Sequence, residues 1–150
     1  MDYSQITETL YIGTTPCPED YSLLRQLGVK LVINMRLERR PHPDAHQPPS
    51  QLLWLPSFDS PLVPISIHKL QRGVREALAT MEGGGKVYVH CAKGRHRGPA
   101  MGAAILIALG YSPERAMQII EQHRRIASPR AWYIRRRIHR FAKTWRIPEK

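Results

Sequence analysis

Cys91 and Arg97 stand six residues apart in the segment Val87–Gly98, VYVHCAKGRHRG. An apolar strand pattern ends at His90, a glycine-containing loop follows, and a helix pattern begins near Arg97. Backbone N–H groups of such a loop can converge on one point, towards which the next helix directs the positive end of its dipole. A cysteine at the mouth of that cradle is favoured as its thiolate, the nucleophilic form. Arginine at the far end presents a planar fork that grips two oxygens of a phosphate at once. Cys-x5-Arg on its own arises often by chance. Here His90 precedes it, Gly94 sits at its middle, and a helix of small residues follows, so the pattern reads as a nucleophile with a phosphate clamp.

The elements that must position this loop follow from hydrophobic periodicity and its punctuation. Leu10–Ile12 reads as a short strand ending at Gly13. A helix is predicted over Glu19–Leu27, with Leu23, Leu24 and Leu27 on one face and Gly28 as its stop. Val29–Asn34 is nearly continuous in apolar character, as in a buried parallel strand. Residues 36–51, RLERRPHPDAHQPPSQ, carry four prolines and read as a mobile surface loop. Leu52–Leu55 is a further strand, expected to halt at Pro56. A helix is predicted over Ser66–Met81 and a strand over Lys86–His90, followed by helices over Arg97–Leu109 and Ser112–Arg124. The last helix is expected to open at Ser128–Pro129 and reach residue 146, burying Ile134, Ile138, Phe141 and Trp145 as one stripe. Strands alternating with helices predict an α/β fold, with a mostly parallel central sheet of four to five strands flanked by helices. The length of 150 residues suits a single domain over 1–150.

HCAKGRHR resembles the active-site loop of the cysteine-dependent protein tyrosine phosphatase superfamily, in particular the small, atypical dual-specificity phosphatases. The resemblance extends through LYIG, LGVKLVINM and PSFDSPLVP to the C-terminal helices. It implies phosphomonoester hydrolysis through a cysteinyl-phosphate intermediate, with Cys91 as nucleophile, Arg97 as phosphate and transition-state clamp, and no metal or cofactor. The loop residues Ala92, Lys93, Gly94, Arg95, His96 and Gly98 become the substrate-binding set.

The leaving alkoxide needs a proton. Asp59, 32 residues before Cys91 in a proline-flanked loop after a strand, is the candidate general acid and base. Asp44, in the proline-rich loop, is its rival, and Glu38 is placed less well still. The resemblance gives His90 a supporting role, orienting the loop and tuning the thiol, and Asn34 is expected to brace the loop from a strand end. One departure stands out: the superfamily usually carries Ser or Thr directly after the arginine, and this chain has Gly98. Losing that hydroxyl should slow breakdown of the phosphoenzyme more than its formation.

Composition sets the remaining bounds. The net charge is +11, and residues 124–150 carry ten basic side chains against one acidic. Such a block suits an acidic partner, RNA or an anionic membrane surface. Lys93, Arg95 and His96 would add positive charge to the phosphate loop itself. Phosphotyrosine, phosphoserine or phosphothreonine protein ranks first as substrate, with phosphoinositide and RNA 5′-phosphates as alternatives. A weakly catalytic phosphate- or nucleic-acid-binding module is the rival of another class. Two cysteines, no signal-like N-terminus and no transmembrane-length apolar run lead to the expectation of a cytoplasmic protein.

Overall fold

The computed structural model describes residues Met1–Trp145. Strands β1 (Tyr3–Gln5), β2 (Leu10–Gly13), β3 (Val29–Arg36), β4 (Gln51–Ser57) and β5 (Lys86–His90) form one sheet in the order β1-β2-β5-β3-β4. All neighbours pair in parallel except β1, which runs antiparallel to β2. The central strand is therefore β5, with Ile12 and Ile33 both level with Val89. A ligand at its carboxyl end sits where connections diverge to either side, the usual binding crevice of an open α/β sheet.

Side-chain alternation assigns the two faces. Leu10 and Ile12, Leu31, Ile33 and Met35, Leu53 and Leu55, and Val87 and Val89 belong to the larger core. That core is covered by α2 (Ile67–Glu82), α3 (Arg97–Ala108), α4 (Pro113–His123) and α5 (Trp132–Thr144). Tyr11, Val32 and Tyr88 face the other way, against Tyr21 and Leu24 of the short helix α1 (Tyr21–Leu27). Cys91 continues the period of Val87 and Val89, which places its thiol on the helix-covered face, buried beneath α3.

Most predicted elements form, and the departures have physical causes. The segment before α1 is a 3-10 turn, Pro18–Asp20. Tyr21 and Leu24 carry the buried face of α1, while Leu23 points to solvent. Strand β4 runs through Pro56 instead of halting there. It is an edge strand, where a residue without an N–H interrupts no interior ladder. Helix α5 starts at Trp132, not at Ser128–Pro129: Ser128 spends its N–H on the Arg95 carbonyl at 2.8 Å, and Pro129–Arg130 form a turn. The predicted end of that helix at residue 146 lies outside the described residues. Strand β1, which the sequence reading lacks, is too short to show a periodicity.

Gly13 is where β1 and β2 come closest. A Cβ there would lie 2.5 Å from the Asp2 carbonyl oxygen and 2.8 Å from Tyr3 Cα, both backbone atoms that cannot swing aside. Gly13→Ala should therefore push β1 off the sheet and cost about 1–3 kcal/mol in chemical denaturation, the usual range for overpacking.

Candidate active site

The loop between β5 and α3 is held from behind by one buried arginine. Arg124, at the C-terminal end of α4, is 2% exposed. Its Nε donates to the Gly94 carbonyl at 2.9 Å and its NH2 to the Lys93 carbonyl at 2.7 Å. The rest of the guanidinium reaches Ser4 Oγ at 3.1 Å and the Asp2 carboxylate at 3.2 Å. The Arg95 carbonyl is taken by the Ser128 N–H at 2.8 Å. In a trans peptide the C=O and the following N–H point in opposite directions. Drawing the carbonyls of residues 93, 94 and 95 outward thus turns the N–H groups of Gly94, Arg95 and His96 to the opposite side. Gly94 has φ +66°, and a Cβ there would meet the Arg124 guanidinium at 2.8 Å. Only glycine suits both demands.

Ala92, Lys93, Arg95, His96 and Arg97, together with Cys91 and Asp59, line a cavity of about 190 Å³. Of the loop residues assigned to substrate from sequence, Gly94 and Gly98 do not line it. Gly94 serves the bend and the Arg124 contact. Gly98, in the first turn of α3, lies against the thiol: its N–H donates to Cys91 Sγ at 3.3 Å. A backbone donor thus meets the sulfur where the usual hydroxyl is missing.

Arg97 is 4% exposed, and its donors can be counted. NH1 donates to Glu38 Oε2 at 3.0 Å and to the Ser57 carbonyl at 2.9 Å, while NH2 donates to Glu38 Oε1 at 3.0 Å. Three of the five guanidinium hydrogens are engaged. Those left, on Nε and the adjacent edge of NH2, have the spacing that a bidentate contact to an oxyanion needs. Nε is buried and has no partner among the described residues. Glu38 is in turn fixed by Arg36 Nε at 2.8 Å, and the hydrogen bond from Arg97 is the leading reason its carboxyl is held down to about 2.

Asp59 reaches the cavity from the loop after β4. Its Oδ1 accepts from the Tyr133 hydroxyl at 2.7 Å and its Oδ2 lies 3.0 Å from His96 Nδ1. The His96 and Tyr133 rings sit 5.6 Å apart, so the three side chains form one cluster at the cavity rim. Burial pushes the Asp59 carboxyl up. The hydrogen bonds from Tyr133 and His96, with the charges of His96 and Arg97, outweigh that and leave it below its ordinary value. Tyr133 is pushed up to about 12 by burial and by Asp59, and so remains a donor.

The other sequence-assigned residues take different places. Asp44 is occupied within its own loop, accepting from the N–H groups of His46 at 3.0 Å and Ser50 at 2.8 Å. Asn34 does not touch the cysteine loop. Its Nδ2 donates to the Arg39 carbonyl at 2.8 Å and its Oδ1 accepts from the Arg36 N–H at 2.7 Å, bracing the turn that carries Glu38. His90 is buried, and its Nδ1 has no partner among the described residues. Burial, with the charges of Arg36 and His42, pushes it down to about 3, so the ring is neutral and supplies no positive charge to the Cys91 sulfur. Sequence reasoning missed Glu38 as a partner of Arg97, Arg124 as the loop anchor and Tyr133 as the partner of Asp59. None has a local signal: the contacts span 59, 30 and 74 residues of chain.

With this geometry in view, the likenesses to known proteins fall into place. The family profile described as "Dual specificity phosphatase, catalytic domain" matches residues 10–140. Mouse dual specificity phosphatase 28 is 29% identical over 128 residues, which cover 85% of this chain and 76% of that protein. Human phosphatidylglycerophosphatase and protein-tyrosine phosphatase 1 is 36% identical over 133 residues, covering 81% of this chain and 64% of that one. The crystal structure of human DUSP28 superposes with a TM-score of 0.84 at 22% identity, over 94% of this chain and 93% of that one. The crystal structure of PTPMT1 in complex with PI(5)P does so with a TM-score of 0.77 at 27% identity, over 94% and 96%. The chain belongs to the dual-specificity phosphatase family and is a cysteine-dependent phosphatase.

Proposed function

We propose that this phosphatase hydrolyses phosphomonoesters through a cysteinyl-phosphate formed on Cys91, with phosphotyrosine, phosphoserine and phosphothreonine proteins as its first substrate class. The observation that carries the reading is the unpartnered Nε of Arg97, an arginine held by Glu38 and Ser57 on the cavity that Cys91 also lines. A phosphate seated on that fork, with its other oxygens on the loop amides, presents its phosphorus to Cys91. The sulfur attacks, the bond to the ester oxygen breaks, and that oxygen takes the electron pair and a proton from Asp59. Water then attacks the phosphocysteine and gives a proton to the Asp59 carboxylate, and the sulfur departs as thiolate. The Gly98 N–H stabilises that departing charge. Lys93 and Arg95 on the cavity wall favour a second reading, a phosphoinositide headgroup, and PTPMT1, 27% identical in sequence over the superposed chain, was crystallised with PI(5)P.

Asp59 is held ionised in the free enzyme, which suits its second role as base better than its first as acid. A bound phosphate dianion beside it raises its proton affinity, since a nearby like charge disfavours ionisation. Protonation for the first step is therefore coupled to substrate binding.

Assays of a small aryl phosphate, phosphopeptides, inositol lipids and 5′-triphosphate RNA test the reading. Cys91→Ser should abolish turnover of every one, and activity retained by that variant would sink the mechanism. Arg97→Ala should lose about 100-fold or more in kcat/KM, and Asp59→Ala about 100- to 10,000-fold in kcat on an alkyl phosphate. Wild type should show a pre-steady-state burst at high enzyme concentration. A serine Cβ at position 98 would lie 3.5 Å from Cys91 Sγ and 3.3 Å from Ile12 Cγ2, which is tight but accessible with a small shift. Gly98→Ser should shrink the burst and raise steady-state turnover by about two- to tenfold, the worth of one hydrogen bond to the leaving thiolate. An unchanged burst refutes the role assigned to Gly98. Tyr133→Phe removes a hydrogen bond that lowers Asp59. Because the acid must be protonated to act, the falling limb of the kcat/KM profile should move to higher pH.

A further inference from the structure

A second surface beside the catalytic cavity takes no part in the chemistry above. It joins two features that rarely adjoin on a free surface. The first is apolar. Leu62, at the tip of the loop that carries Asp59, is 89% exposed, and Trp132, at the start of α5, is 61% exposed. Val63 and Phe58 of the same loop are also exposed. Pro61 and Pro64 flank the tip and line a small pocket together with Trp132, Tyr133 and Arg136, which sets the loop tip against the first turn of α5. The second feature is cationic. Arg136, Arg140 and Lys143 line a shallow groove of about 1050 Å³ between α5 and the N-terminus of α2, where Ile67 and His68 close the other side. Of the cations in that groove, Arg130 and Arg135 are paired with Glu114. Arg136, Arg140 and Lys143 have no acidic partner among the described residues.

We propose that this face docks the enzyme on an anionic lipid bilayer, with Leu62 and Trp132 entering the interface and Arg136, Arg140 and Lys143 meeting the lipid headgroups. Exposed aliphatic and tryptophan side chains beside unpaired cations match the chemistry of that surface: apolar groups gain from leaving water and cations from the negative potential. Single-stranded nucleic acid fits less well, because a stacking track needs several free aromatic faces and, among the described aromatics of α5, Trp132 alone is exposed. Phe141 is buried, Trp145 stacks on it at 5.5 Å, and Tyr133 is bonded to Asp59. An acidic peptide would satisfy the cations and leave Leu62 without a function. The docked face reaches the cavity through Tyr133, which lines the small pocket and donates to Asp59. A bilayer on this face therefore places the cavity beside the headgroup layer. The inference does not rest on the reaction assigned to Cys91.

Flotation of the whole protein with vesicles tests it without turnover. Phosphatidylcholine vesicles containing about a third phosphatidylglycerol should bind the protein and pure phosphatidylcholine should not, with binding weakened by salt. Arg140→Gln with Lys143→Gln should lower the partition coefficient roughly 25-fold, at about fivefold per cation. Leu62→Ser with Trp132→Ser should lower it about tenfold or more. Both double variants should keep the thermal unfolding midpoint of wild type and its turnover of a small soluble aryl phosphate. The unfolding midpoint controls for folding even where no turnover is found, so failure of docking and failure of the catalytic reading remain distinct. Equal binding to neutral vesicles, no binding to anionic ones, or binding indifferent to the Leu62 and Trp132 changes overturns the proposal. So does tighter binding of single-stranded RNA or a polyglutamate peptide that the Gln pair abolishes.

Discussion

A buried guanidinium organises the catalytic end of this molecule. Arg124 is drawn out of water at the end of α4, a costly place for a charge unless its hydrogens are satisfied. They are satisfied by two loop carbonyls, a serine hydroxyl and a carboxylate from the N-terminal segment. The same contacts shape the loop. Carbonyls drawn towards Arg124 leave the amides on the other side, the arrangement the proposed phosphate site needs. Strand β1 and helix α4 thereby shape the loop without lining the cavity, and the close approach at Gly13 keeps β1 within reach of that arginine.

Arg97 follows a similar logic with a different outcome. Its partners take three hydrogens and leave two unpartnered, so the arginine is oriented but not consumed. Glu38 therefore does two opposing things. It fixes the proposed phosphate fork, and it places a negative charge close to where the proposed dianion would bind. The side chain is half exposed and also paired with Arg36, which moderates its field at the cavity. The orientation gained is local and short-ranged, whereas the repulsion is spread and screened.

Asp59, the proposed acid and base, links the cavity to the surface beside it. Tyr133, which bonds to its carboxylate, belongs to α5, the helix that also carries Arg136, Arg140 and Lys143. The loop bearing Asp59 also bears Leu62 and Val63.

The α/β alternation and the strand–loop–helix motif that holds Cys91 and Arg97 were legible in the sequence because each is local. Cys91, Gly94 and Arg97 lie within seven residues, and the apolar run Lys86–His90 announces a buried strand on its own. Proximity to that motif also drew in Gly94 and Gly98, whose side-chain-free positions serve the bend and the approach to the sulfur. Asn34 was expected to brace the cysteine loop, and its side chain instead bonds within the turn that carries Glu38. What the tertiary structure decided is which distant charges meet. Glu38 sits in a proline-rich stretch with no periodicity, Arg124 is one of ten basic residues in a charged block, and Tyr133 resembles a packing aromatic. A strand-to-helix turn can be encoded by neighbours along the chain. The pairing of a loop with its anchor requires the sheet to close first, and no spacing in the sequence records it.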